Sequence, residues 1–206
     1  MRNTTVSNGI SHSLTAIAMS LSLTALLLFA HGIRGNQQTV SSSSVGPTVL
    51  DLIHRQKYAD AITQLEQVLE REPGNSEALT YMATANLYRS RDFFKAQKEF
   101  KDAFNAGGGA TFFVTHSHEM FTTADVVDYC RGWFHLRKNT VEFIPTDGNH
   151  GFKIHVNEIQ EFKINRLSKK AFHIKTGGKS QNFRGRSNTD LEPLLIIALY
   201  KSFNQL

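Results

Sequence analysis

The histidines are the residues best suited to metal binding or proton transfer in this chain of 206 residues. His116 and His118 stand two apart in a strand-like stretch, which would place both imidazoles on one face. Such a pair supplies two zinc ligands, but a catalytic zinc site needs a third protein ligand and an open position. No spacing in the chain identifies that third ligand. His116 and His118 are therefore weak metal candidates, and we expect no metal and no other cofactor.

The single cysteine, Cys130, is the one thiol that could act as a nucleophile. The sequence assigns it no histidine as a base, and His118 beside Glu119 is too common an arrangement to indicate acid–base catalysis. A single cysteine also excludes an intrachain disulfide and a cysteine-built metal site. Glycines at 107–109 and 177–178 lack the lysine and the loop context of a phosphate-binding loop, and are interpreted as a linker and a hairpin turn. We expect that the protein is not an enzyme.

The main charge feature is a basic stretch over residues 159–188, in which eight Lys and Arg accompany one acid, Glu161. Several of these cations fall near predicted strand turns, so we expect them to converge on one rim. Such a rim would attract an anionic membrane surface or an acidic partner, and the alternative is a solvated face that keeps the domain soluble. The candidate residues for anionic-surface binding are Lys163, Arg166, Lys169, Lys170, Lys175, Lys179, Arg184 and Arg186.

Nucleic acid is not an expected partner. Binding of single strands calls for basic residues interleaved with exposed aromatic side chains. Most of the fifteen phenylalanines fall instead at positions that the periodicity assigns to a core.

Residues 1–34 have the composition of an export or membrane signal. Between Leu14 and Ile33 there is no Asp, Glu, Lys or Arg, and each such charge would cost about 2.5–3.5 kcal/mol at a bilayer centre. A cleaved signal peptide and a single-pass anchor both fit, with a buried soluble helix as the alternative. Arg2 and Arg34 favour an inside N-terminus, so the later domains are expected outside the cytoplasm, either membrane-anchored or secreted. A polar, Ser-rich linker follows at residues 35–45.

Residues 46–106 show helical periodicity that recurs after 35 residues. The recurring positions are Ala61, Leu65 and Val68, then Ala96, Phe100 and Ala103. This period, with Pro73 ending the first long helix, resembles the tetratricopeptide repeat. The resemblance implies about four helices, which either hold a partner's peptide or serve as a packed spacer. Two units bury little surface alone, so we expect them to lean on the next domain or on another chain.

After residue 107 the apolar period changes to two, as in Phe152, Ile154 and Val156. The same alternation assigns Trp133 and His135 to the polar face. Turn signals separate about seven short antiparallel strands; they are Lys138-Asn139, Asp147-Gly148 and Gly177-Gly178. Thr189 and Glu192 predict a capping box before a last helix. Its predicted apolar stripe consists of Leu191, Leu194, Leu195, Ala198 and Leu199.

A seven-strand meander followed by one amphipathic helix resembles the pleckstrin-homology-like barrels, including the GRAM type. The stretches "CRGWFHL", "TVEFIP", "HGFKIHVNEIQEF" and "AFHIK" follow the order of their strands. The resemblance covers residues 107–206 and implies an antiparallel barrel plugged by the C-terminal helix. Another small antiparallel barrel or an α+β sheet is the alternative. Phosphoinositide binding is not expected, since the family's binding pattern is absent from the first hairpin and an extracytoplasmic domain would not meet those lipids.

The sequence thus predicts a multidomain α plus β protein with an N-terminal apolar helix, tetratricopeptide-like hairpins and a capped, pleckstrin-homology-like barrel. The expected function is that of an adaptor. Its partners would be a protein bound by the helices or an anionic surface bound by the barrel. The alternatives are a histidine-based metal-binding or hydrolytic barrel, and a structural scaffold that self-associates into a homo-oligomer through an apolar patch.

Overall fold

The computed structural model describes residues 45–117, 129–147, 150–166 and 168–204. The predicted export segment and nearly all of the Ser-rich linker lie outside these ranges, as does His118. Within them, no helix is both long and apolar enough to cross a membrane. All described residues belong to one compact unit, Val40–Leu206.

Four helices joined by short turns come first. They are α1 (Val45–His54), α2 (Tyr58–Arg71), α3 (Ser76–Ser90) and α4 (Phe93–Asn105). The periodicity is borne out by burial, since Leu65 in α2 and Phe100 in α4 are both fully buried. Asn75 and Asp92 cap α3 and α4, because each side chain accepts a hydrogen bond from a first-turn backbone N–H. The predicted number of helices in this region is confirmed.

In the described part of the chain, seven strands and one helix follow. The strands are β1 (Ala110–Ser117), β2 (Tyr129–Leu136), β3 (Thr140–Pro145), β4 (Phe152–His155), β5 (Glu161–Asn165), β6 (Ser168–Thr176) and β7 (Lys179–Gly185), and the helix is α5 (Leu191–Asn204). Every pairing is antiparallel, in the order β4-β3-β2-β1-β7-β6-β5. Gly177 and Gly178, at φ +47° and +90°, make the two-residue turn of the last hairpin. The predicted strands and C-terminal helix are confirmed.

The sheet is not closed into the predicted barrel, because β4 and β5 pair with no further strand among the described residues. β4 has four residues and runs directly into a 3-10 turn, and β5 has five with a register shift near its end. Such short and irregular edges offer no continuous ladder for mutual pairing. The two arms of the sheet, β2–β4 and β5–β7, meet through side chains instead. Phe134 lies 6.2 Å from Phe162, and Phe143 lies 5.6 Å from Phe183, between ring centroids.

The last helix packs against β5, β6, β7 and α4. Tyr200 lies 4.3 Å from Phe162 on the sheet, and Phe203 stacks on Phe104 of α4 at 4.0 Å, between ring centroids. The helix is therefore covered on two sides.

The predicted apolar stripe of α5 is only partly right. Leu195 and Leu199 are buried, but Leu191 and Leu194 are each 50% exposed. Because α5 packs against both the sheet and α4, its buried face differs from the single stripe that the sequence predicts. The predicted capping box also does not form, since the Glu192 carboxylate accepts from the backbone N–H of Ser187.

The helices cover the part of the outer face of β1 and β2 that carries Phe113 and Trp133, which confirms that the helical hairpins lean on the next domain. Phe113 on β1 lies 4.7 Å from the His54 ring of α1 and 5.1 Å from Trp133. Trp133 and His135 are only 6% and 4% exposed. Their predicted assignment to a polar face is therefore wrong, because a helical layer occupies that face.

Gly107–Gly109 form a closely packed connection between α4 and β1 and not the predicted linker. Gly107 adopts a φ of +92° just after α4. A Cβ atom on Gly108 would lie 2.4 Å from the Ser76 carbonyl oxygen, and one on Gly109 would lie 2.1 Å from that of Leu136. Only glycine permits such a close approach of two backbones.

Candidate ligand-binding surfaces

Seven of the eight residues predicted to bind an anionic surface lie in the arm formed by β5–β7. Four of them alternate with buried core residues such as Phe172 and Phe183, so they project from the outer face. These four are Lys163, Lys169, Lys175 and Arg184. Together with the flanking Arg166, Lys170 and Lys179, they form what we call the cationic face.

The cations do not meet on the single rim that the turns suggested. Arg166, Lys169 and Lys170 lie at one end of β6, whereas Lys175 and Lys179 lie at the other. Successive hairpin turns of an antiparallel sheet fall at opposite ends of the strands. β6 has nine residues, and its length of about 26 Å separates the two groups. The cationic face is therefore elongated.

Glu161 is the one acid within the β5–β7 arm. It pairs with Lys163 and lies 3.2 Å from the Nε2 atom of His173. The hydrogen bond from Lys163, and then that from His173, lowers the pKa of Glu161 to about 2. An ionised Glu161 thus offsets one positive charge at its end of the face.

Arg186, the eighth predicted residue, lies away from the cationic face. Its guanidinium is 5.6 Å from the ring centroid of Tyr88 and 5.4 Å from that of Phe113. It also donates hydrogen bonds to the carbonyl oxygens of Ile53 and His54, at 3.4 and 3.2 Å. These contacts use Arg186 to hold the helices on the sheet.

Beside the cationic face, the outer surface contains a groove of about 420 Å³, called here the outer groove. It is lined by Thr115, Ser117, Tyr129, Arg131, Ala171, Asn182, Phe183 and Arg184. In the strand register Thr115 lies directly opposite Arg131 on one side and Arg184 on the other. Two arginines therefore flank one threonine across three adjacent strands.

Of the outer-groove residues, only Arg184 belongs to the binding residues predicted from the sequence. Alternation within one strand does not say which residues of another strand lie beside it. The missing information is the pairing of β1 with β7, which joins strands about 70 residues apart in the chain and leaves no local signal.

The structure also gives Cys130 the histidine that the sequence did not assign. The Cys130 Sγ atom lies 3.6 Å from the Nδ1 atom of His116. These side chains are 2% and 6% exposed, and the His116 ring stacks on Phe183 at 4.8 Å. Nucleophilic or redox cysteines are normally solvent-accessible. The pair is thus best described as a polar contact within an aromatic core.

In the part of the chain that the structure describes, no three His, Cys, Asp or Glu side chains lie close enough together to hold a metal ion. The weak metal candidates therefore gain no support there. His116 and His135 are both buried. His135 contacts Thr111 at 2.9 Å. Burial first, and the Arg137 charge second, lowers the pKa of His135 to about 4.

A buried polar cluster connects the helices, the sheet and α5. The Tyr88 hydroxyl accepts a hydrogen bond from the Phe113 backbone N–H at 2.7 Å and donates one to Glu192 at 3.0 Å. The other Glu192 oxygen accepts from the Ser187 N–H at 2.7 Å. Burial is the main cause that raises the pKa of Glu192, and that of Tyr88. We call these residues the junction cluster.

No family model and no curated protein matches this chain. One matching solved structure is the C-terminal domain of an unknown protein from Leishmania infantum, with 14% identity and a TM-score of 0.33, covering 44% of this chain and 80% of that one. Another is the N-terminal PH domain of the human ARAP2 protein, with 9% identity and a TM-score of 0.33, covering 45% and 78%. At that TM-score neither match assigns a fold or a function to this chain.

Proposed function

We propose that the protein is a non-enzymatic adaptor that binds an anionic membrane surface through the cationic face. The observation that carries the proposal is the placement of Lys163, Lys169, Lys175 and Arg184 on one outer face, with Glu161 as the one acid in the described residues of β5–β7. Charges spread over about 26 Å suit a surface with many anionic groups. Each cation near such a surface contributes about 1 kcal/mol.

In this proposal the helical hairpins are a rigid platform. α3 and α4 pack on β1, and Arg186 and the junction cluster fix the helices to the sheet. The tetratricopeptide-like resemblance adds a protein partner for these helices. Such a partner would bind the sides left exposed by the sheet, as on α2, which packs against α1 and α3.

The uncharged segment from Leu14 to Ile33 completes the proposal as a membrane anchor or export signal. An anchored chain would keep the cationic face close to a bilayer. The pleckstrin-homology-like interpretation of residues 107–206 is supported by the seven antiparallel strands and the helix after them.

The test is co-sedimentation of the full chain with vesicles of phosphatidylglycerol and phosphatidylcholine, at low and high salt. Pure phosphatidylcholine vesicles give the baseline, which includes any contribution from the N-terminal segment. We expect additional binding to the anionic vesicles that high salt abolishes. Replacing Lys169, Lys170, Lys175 and Lys179 by Glu should remove that additional binding.

The matched control changes four exposed lysines outside the cationic face to Glu, namely Lys57, Lys98, Lys101 and Lys138. It alters net charge by the same amount. If both quadruple variants lose binding equally, net charge and not the cationic face is responsible. Equal binding of the wild-type chain to both kinds of vesicle would refute the proposed function.

A further inference from the structure

The outer groove is lined by two guanidinium groups and three hydroxyls, which can all donate hydrogen bonds. Arg131 and Arg184 flank the Thr115 hydroxyl in one cross-strand row, and among the residues that the structure describes no Asp or Glu lines the groove. Ala171 lies opposite Arg184 in the next strand pair, and its small side chain leaves space beside the guanidinium. This composition favours an oxyanion ligand.

A hydrogen bond behind the groove strengthens its donor character. The Asn182 side-chain oxygen accepts from the Asn165 amide at 2.9 Å, and both residues are buried. Because that oxygen is engaged, the group that Asn182 can still offer is its NH₂ donor. The Asn182 side-chain oxygen is therefore already bonded to Asn165 and does not face a ligand as a free acceptor.

The two arginines differ in their present partners. Arg184 is exposed and forms no ion pair with any residue that the structure describes. The Arg131 Nε atom lies 3.3 Å from the Asp147 carboxylate, and both side chains are about half exposed, at 54% and 48%. An exposed pair of this kind is weak, so an incoming anion can compete for Arg131.

We propose that the outer groove is a binding site for one phosphate monoester group, held between Arg131 and Arg184. Phosphate carries about two negative charges and three acceptor oxygens, which two guanidinium groups and neighbouring hydroxyls can satisfy together. The groove volume of about 420 Å³ also admits a small organic group on the phosphate, beside Tyr129, which is 56% exposed. The inference deepens the proposed function and rests on it only in treating the protein as a binding module.

The test is a titration of the full chain with phenyl phosphate, followed by the backbone amide signals of β1 and β7. We expect saturable shifts around Thr115 and Arg184, with benzoate binding at least about tenfold more weakly. Arg184→Gln and Arg131→Gln should each weaken phenyl phosphate binding by at least about tenfold. Lys153→Gln on β4 removes the same charge away from the groove and should leave binding unchanged.

Asp147→Asn is a gain-of-binding variant. It removes the carboxylate that competes for the Arg131 side chain but keeps an oxygen for the Arg131 backbone N–H, which now donates to Asp147. We expect phenyl phosphate to bind severalfold more tightly. Non-saturating phenyl phosphate shifts without Arg184-dependent binding to phosphatidic acid vesicles, equal affinity for benzoate, or equal loss in the Lys153→Gln and Arg184→Gln variants would each overturn the site.

Two further experiments distinguish a soluble phosphate ester from a lipid headgroup, and the outer groove from the cationic face. Saturable phenyl phosphate binding shows that a soluble ester suffices. Arg184-dependent binding to phosphatidic acid vesicles, without phenyl phosphate binding, identifies a lipid headgroup as the source. The variant with four lysines replaced by Glu should still bind phenyl phosphate. A wild-type chain that binds phenyl phosphate but shows no added binding to anionic vesicles would contradict the proposed function and not the outer groove.

Discussion

Tyr88 in α3 donates a hydrogen bond to Glu192 in α5 across 3.0 Å, joining two residues 104 positions apart in the chain. The same hydroxyl accepts from the Phe113 backbone N–H on β1. One oxygen atom therefore connects the helical hairpins, the central strand and the last helix. This contact helps to hold the helices and the sheet together as one body.

Removing the Tyr88 hydroxyl should destabilise the fold. In Tyr88→Phe the Phe113 N–H and one Glu192 oxygen lose their partner while they remain buried, which we expect to lower the free energy of unfolding by about 1–3 kcal/mol. Urea denaturation followed by circular dichroism measures this change. Tyr58→Phe is the control, since its hydroxyl bonds to no residue in the described ranges, and it should change stability by less than about 0.5 kcal/mol. Equal effects would argue against the junction cluster.

Glu192 should make stability depend on pH. Because its pKa in the folded protein is raised above the ordinary value of 4.5, the native state holds this proton more tightly than the unfolded state. The resulting stabilisation is complete below about pH 4.5 and is lost as pH rises through the native pKa. Glu192→Gln cannot titrate. The stability of the wild type relative to this variant should therefore fall as pH rises above 4.5, and a pH-independent difference would contradict the prediction.

His135 should have the opposite dependence. Its pKa is about 4 in the folded protein against 6.5 when exposed, so the unfolded state takes up the proton first as pH falls. The stabilisation that comes from keeping His135 neutral is complete above pH 6.5. It is lost as pH falls toward 4, which lowers the free energy of unfolding by an amount on the order of 3 kcal/mol. Chemical denaturation of the wild type and of His135→Gln over this range tests the effect. The variant should lack most of the decline, and parallel curves would show that another group is responsible.

The triple glycine provides a packing test. Gly109→Ala would place a methyl group 2.1 Å from the Leu136 carbonyl oxygen, so we expect a loss of at least about 2–3 kcal/mol. Gly74→Ala is the control because a Cβ atom there would have no neighbour within 4 Å. Thermal unfolding of both variants measures the difference. If Gly109→Ala were as stable as Gly74→Ala, residues 107–109 would be the flexible linker that the sequence suggested.

Local periodicity predicted the elements well because each strand or helix carries its own signal. Phe152 and Ile154 on β4, and Leu65 and Phe100 in the helices, follow the spacing that burial requires. The predictions that failed concern burial, which depends on how neighbouring elements pack. Trp133 appears outward in its strand, and only the helical layer above it makes it buried.

The candidate sites show the same limit. The basic stretch was visible because its residues are close in the chain. The hairpin geometry places these cations in two groups, at opposite ends of β6. Arg186 lies away from the cationic face because it contacts Ile53 and His54, more than a hundred positions earlier in the chain. The outer groove depends on Thr115 lying between Arg131 and Arg184, which only the strand register determines.

The central claim is that the cationic face is the membrane-binding surface, and amide spectra of the full chain titrated with phosphatidylglycerol vesicles test it most directly. We predict that signal loss begins at the amides of β5, β6 and β7, near Lys163, Lys169 and Lys175, and is reversed by salt. The signals of α2 should persist longest. Signal loss that begins on the helices while β5–β7 stays unchanged would contradict the account.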